Sequence, residues 1–68
     1  MIRQDQIQKL LATGKVAEVE DDGMDDGRFF VHLKLSYHYD YGYGPQQTKS
    51  FGGYREAMAA VNRCSATA

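Results

Sequence analysis

The sequence predicts an α+β fold: one small domain in α-β-β-β-α order, with a three-stranded antiparallel sheet carrying both helices on one face. Three observations predict it. Ile7, Leu10 and Leu11 share one face of a short N-terminal helix, and Tyr54, Ala57, Met58, Val61 and Cys64 recur at helical spacing near the other end. Between them, residues 29–43 alternate between an apolar odd-numbered face and an even-numbered face that is polar after Phe30, the signature of a half-buried strand.

Each element has its own local reasons. Asp5 with Gln8 forms a D-x-x-Q capping box ahead of the first apolar face, and Gly14 suits the end of that helix. The helix is too short to stand alone, so tertiary packing must hold it. Lys15 to Asp21 alternates weakly, Ala17 and Val19 on one side and Val16, Glu18 and Glu20 on the other, and reads as a first strand. Asp22-Gly23 and Asp26-Gly27 then bracket Met24; Asp-Gly is a strong turn signal, so a hairpin loop belongs here.

The long strand follows. Its odd positions are Phe29, Val31, Leu33, Leu35, Tyr37, Tyr39, Tyr41 and Tyr43; its even positions include His32, Lys34, Ser36, His38 and Asp40. Phe29 to Leu35 is expected to be core. From Tyr37 onward the rings are apolar but their tips want water or a partner. Gly44-Pro45 ends the strand, Gln46 to Phe51 returns antiparallel, and Gly52-Gly53 breaks it before a helix over Tyr54 to Cys64. Residues 65–68 read as a loose tail.

Sixty-eight residues with 43% apolar and 25% charged composition allow one core. A chain this short buries only about 60% of its unfolded surface, so help from self-association or a partner is expected. Cys64 has no second cysteine to pair with, which fits a reducing, cytoplasmic setting. No apolar run has the length of a signal peptide core or a membrane span. Net charge is −1, against a general phosphate-neutralising binder. The acidity is local: Glu18, Glu20, Asp21, Asp22, Asp25 and Asp26 fall together, whereas the bases are scattered from Arg3 to Arg63.

Two stretches are candidates for protein contact. Tyr37, Tyr39, Tyr41 and Tyr43 would supply large area at low entropic cost, the plainer alternative being rings that cover the end of the core. Glu20, Asp21, Asp22, Asp25 and Asp26 read first as a solvated turn, and more sharply as an acidic patch offered to a basic groove. The spacing does not fit a calcium loop, because Gly23 or Met24 falls where the second acid is needed. His32 and His38, roughly 20 Å apart along a strand, cannot share a metal ion. His38 and Asp40 could pair, but no serine, cysteine or third acid is placed to make that pair activate a nucleophile. The glycines match no phosphate-binding loop. No catalytic residue, cofactor or metal is expected.

The α-β-β-β-α order resembles a double-stranded-RNA-binding domain over most of the chain. In that family the last helix opens with a lysine-rich motif that grips phosphates. Here Gly52-Gly53-Tyr54-Arg55-Glu56-Ala57 stands in its place, with one base and one acid, so no RNA-binding residue carries over.

The sequence is read as a non-enzymatic protein-binding module. It is similar in type to phage-encoded inhibitors such as the anti-CRISPR proteins, with a basic nucleic-acid-handling protein as the kind of target expected. The runner-up is a nucleic-acid-binding domain that stacks bases on tyrosines, with His32, Lys34, His38 and Lys49 near the backbone. A homodimer through strand edges or tyrosine faces is the third class.

Overall fold

The computed structural model describes residues 2–21, 23, 27–41 and 44–67. Its elements run α1 (Gln4–Leu11), β1 (Val16–Asp21), β2 (Phe29–Leu33), β3 (Tyr37–Tyr41), β4 (Gly44–Gln46), β5 (Thr48–Phe51), α2 (Tyr54–Arg63) and β6 (Ser65–Ala66). The fold is α+β, but the single three-stranded sheet is corrected to two antiparallel ones, ordered β1-β2-β5 and β4-β3-β6.

α1 begins slightly earlier than the Asp5–Gln8 box implies. The Gln6 side chain reaches back to accept from the Arg3 N–H at 3.1 Å, and Asp5 instead pairs with the Arg3 guanidinium at 3.2 Å. Leu10 is fully buried, while Ile7 and Leu11 pack against the core from its margin. Gly14 ends the turn at φ +79°, a left-handed conformation that costs glycine little.

β1 explains why its alternation is weak. The register with β2 shifts between Val16 and Glu18, so Ala17 is a bulge residue. The extra residue changes phase: Val16 is buried and Val19 packs on the same core, while Glu18 and Glu20 face out. The reading that set Val16 beside Glu18 and Glu20 is corrected by one inserted residue.

The long strand is corrected more deeply. It stops at Leu33, turns through Lys34-Leu35-Ser36 with a Tyr37 N–H to Lys34 carbonyl bond of 2.9 Å, and resumes as β3. Phe29, Val31 and Leu33 are core, as their positions predict, whereas Leu35 is 85% exposed and lies outside it. The returning chain breaks opposite the turn, at Gln47, dividing β4 from β5. Gln47 repairs the interrupted ladder. Its carbonyl accepts from the Leu33 N–H at 2.8 Å, and its side-chain amide donates to the Tyr37 carbonyl at 2.6 Å and the Lys34 carbonyl at 3.3 Å.

The expected loose tail is a strand. Ala66 pairs with Tyr37 and Ser65 with His38, and the Thr67 N–H donates to the Ser36 carbonyl at 2.6 Å. β3 is thereby the centre of its sheet, between β4 and β6.

One buried cluster joins the elements: Ile2, Leu10, Val16, Phe29, Val31, Leu33, Tyr39, Phe51, Ala57 and Val61. Phe51 is its hinge, with ring centroids 6.3 Å from Phe29 in the first sheet and 5.9 Å, edge-on, from Tyr39 in the second. Full burial of each large aliphatic or aromatic side chain contributes about 1.5–3 kcal/mol. Ala57, fully buried without bulk, lets α2 approach closely. Among the described residues no helix is long and apolar enough to cross a membrane.

Candidate interaction surfaces

β1 is an edge strand of the first sheet, and its outer residues are acidic. Glu18, Glu20 and Asp21 are all exposed. Glu20 Oε1 lies 3.0 Å from His32 Nε2, and Asp21 Oδ1 accepts from the Gly23 N–H at 2.9 Å, shaping the start of the hairpin loop. Asp22, Asp25 and Asp26 lie outside the described residues. An edge strand that ends in carboxylates resists pairing with a second copy of itself, because like charges would be stacked across the seam.

The tyrosines separate. Tyr39 is corrected from contact surface to core: it is 3% exposed, and its hydroxyl donates to the Val31 carbonyl at 3.2 Å. Tyr37 is half-buried at the core margin, with Lys15 Nζ 5.8 Å from its ring centre. Tyr41 is described only by its backbone, which pairs with Gly44, and Tyr43 lies outside the described residues. The reason Tyr39 goes inside is the turn at 34–36. It folds β3 back over Phe51, so a residue at the middle of a supposed ladder becomes the roof of the core.

Two polar rows cross the strands. In the first, His32 bridges Glu20 on β1 and Thr48 on β5, with Nδ1 2.9 Å from the Thr48 hydroxyl. In the second, His38 Nε2 lies 2.8 Å from Asp40 Oδ1 and its Nδ1 lies 3.1 Å from the Thr67 hydroxyl. The Ser65 hydroxyl donates to the other oxygen of Asp40. The His38–Asp40 pair is as the sequence suggests, but Ser65 and Thr67 are hydroxyls it did not bring there. Both rows have the order carboxylate, imidazole, hydroxyl. Each also spans neighbouring strands, the arrangement of a cross-strand polar tie. Among the described residues no three His, Cys, Asp or Glu side chains converge as a metal site.

The second row fastens β6. The Ser65 hydroxyl bond, chiefly, holds the Asp40 carboxyl below its ordinary 3.8; desolvation opposes it, and the charge and hydrogen bond of His38 add to the lowering. A depressed folded-state value stabilises above the unfolded value and is lost as pH falls through the folded one. β6 is therefore expected to loosen as pH drops below 3.8, seen as a smaller protection factor at the Thr67 amide, measured against its intrinsic exchange at the same pH. Asp40→Asn should remove that loss of protection; a protection factor that still falls with pH in the variant would assign it to another group.

On the far edge of the first sheet, β5 and α2 enclose an open groove of about 550 Å³. Arg28, Lys49, Arg55 and Arg63 line it, with Glu56 the one acid. Toward Cys64 it shares Lys49, Ala60 and Arg63 with a hollow of about 290 Å³ that Asp40 also lines. Sequence reasoning missed this grouping because the four bases are spread over 36 positions, from Arg28 to Arg63, and show no cluster in the linear chain. A helical spacing of eight between Arg55 and Arg63 was the available signal.

Compared with protein-family models, curated proteins and solved structures, the chain matches none.

Proposed function

We propose that this chain is a non-enzymatic protein-binding module that offers the acidic edge of β1, and the loop after it, to a basic surface on its target. The observation that carries the reading is the placement of Glu18, Glu20 and Asp21, all exposed on an edge strand that runs straight into Asp22, Asp25 and Asp26. A carboxylate row of this kind steers association with a cationic groove and excludes anionic competitors. The same chemistry suits an inhibitor that occupies the groove of a nucleic-acid-handling protein, in the manner of phage-encoded inhibitors acting in the cytoplasm. Tyr37, at the core margin, and the turn residue Leu35, 85% exposed, are the apolar groups available to anchor such a contact. Dimerisation through matched edges is the weaker alternative, since β1 against β1 sets acids against acids.

The test is capture from cells of the source organism, followed by kinetics on the captured protein. Neutralising Glu18, Asp21, Asp22, Asp25 and Asp26 to their amides is expected to slow association by about tenfold or more and leave dissociation nearly unchanged. If the neutralised protein folds and captures its partners at wild-type rates, the acidic edge is not the contact.

A further inference from the structure

We propose that the groove between β5 and α2 binds the phosphate backbone of a nucleic-acid duplex without reading its sequence. Arg55 and Arg63, with Arg28 and Lys49 beside them and Glu56 the one acid, line it in a chain of net charge −1. Arg55, Ala59 and Arg63 form one i, i+4, i+8 stripe on α2, which sets the two arginines about 12 Å apart along the axis. Ala59 between them adds no bulk. Among the described residues neither Arg55 nor Arg63 has a carboxylate partner. Arg28 enters from the opposite wall, steadied by a 2.9 Å bond to the Ser50 hydroxyl. Guanidinium groups suit phosphate because their planar fork matches two oxygens at once.

The lining chooses between anionic partners. A protein partner needs a desolvated apolar anchor at the centre of its contact, and single strands need an exposed aromatic platform. Phe51 is the one aromatic in the groove, and it is 4% exposed. The rest of the apolar lining is alanine, and no Asn or Gln is present to read base edges. What the groove offers is charge at fixed spacing, which is the chemistry of backbone contact. The acids of β1 do not cancel it. They lie two strand spacings away, about 10 Å, which is about one Debye length at physiological salt.

The experiment is fluorescence anisotropy with a labelled random-sequence DNA duplex and its RNA counterpart, repeated over a range of salt. Neutralising two to four phosphates predicts a Kd of about 10⁻⁴–10⁻⁶ M at physiological salt and a log–log salt slope of about −2 to −4. The Arg55→Gln, Arg63→Gln double variant removes both charges and leaves polar side chains on an exposed face, and its fold is checked by circular dichroism. It should bind several-fold more weakly, with a slope smaller in magnitude by about 2. Glu18→Gln with Asp21→Asn, on the other edge, should leave the slope unchanged, so failure of the groove and failure of the acidic edge are separable. Equal affinity and slope for wild type and the double variant would overturn the proposal. So would poly-glutamate binding as tightly as the duplex, which would reassign the groove to acidic polypeptides.

Discussion

Replacing Tyr39 by alanine is expected to cost about 3–5 kcal/mol of folding stability, the range for deleting a large buried aromatic ring. The ring is 3% exposed and meets Phe51 edge-on at 5.9 Å, so its removal opens a cavity where the two sheets join. Domains of ordinary size have about 5–15 kcal/mol in total, and one of 68 residues sits toward the lower end. Most of the population should therefore unfold at modest urea concentration. Tyr39→Phe keeps the ring and loses the bond to the Val31 carbonyl, so it should cost about 1 kcal/mol. The contrast matters for function, because lost binding in Tyr39→Ala would report unfolding rather than a lost contact. Urea melts of the two variants decide it. If Tyr39→Ala melts like wild type, the ring is not in the core and the tyrosines regain their place as a surface.

That reversal marks where the sequence stops being legible. The helices could be read because their signals are local: a 3.6-residue apolar period, Gly14 after one and Gly52-Gly53 before the other. Phe29, Val31 and Leu33 could be read because strand alternation is also local. The turn at 34–36 could not. Leu35 is apolar at an odd position, so the period-two pattern runs through it undisturbed although its side chain points to water. The available clue was size. A straight strand of fifteen residues would span roughly 50 Å, whereas the longest dimension of the protein is 35 Å.

The surfaces divide along the same line. The acids of β1 are contiguous in sequence and were visible at once. The basic groove draws Arg28 and Lys49 from the sheet and Arg55 and Arg63 from a helix, a grouping that exists only after folding. His32 likewise acquires Glu20 and Thr48 from both neighbouring strands, and Asp40 acquires Ser65 from the segment read as a tail. Local pattern locates elements; it does not say which distant strand lies alongside.

Gln47 is the residue on which the bent hairpin turns, and Gln47→Glu should destabilise the domain by about 1–3 kcal/mol at neutral pH. The substitution preserves shape but removes both N–H donors, and it sets a carboxylate against the Lys34 and Tyr37 carbonyls. Water reaches this half-buried site, which draws the cost toward the lower end of the range. The effect should also carry a pH signature. The two carbonyls disfavour the ionised form and raise the folded-state pKa above the ordinary value of about 4.3, so the deficit relative to wild type should shrink as pH falls from neutrality toward that value, where the protonated side chain regains one donor. Taking the difference from wild type removes the separate loosening of β6 at Asp40. Hydrogen exchange localises the change: the Leu33 and Tyr37 amides, which flank the turn, should exchange faster in the variant, while those of α2 follow only the global loss. A variant as stable as wild type at neutral pH, with unchanged exchange at both amides, would mean that the backbone turn holds the bend unaided and that Gln47 merely fills the gap.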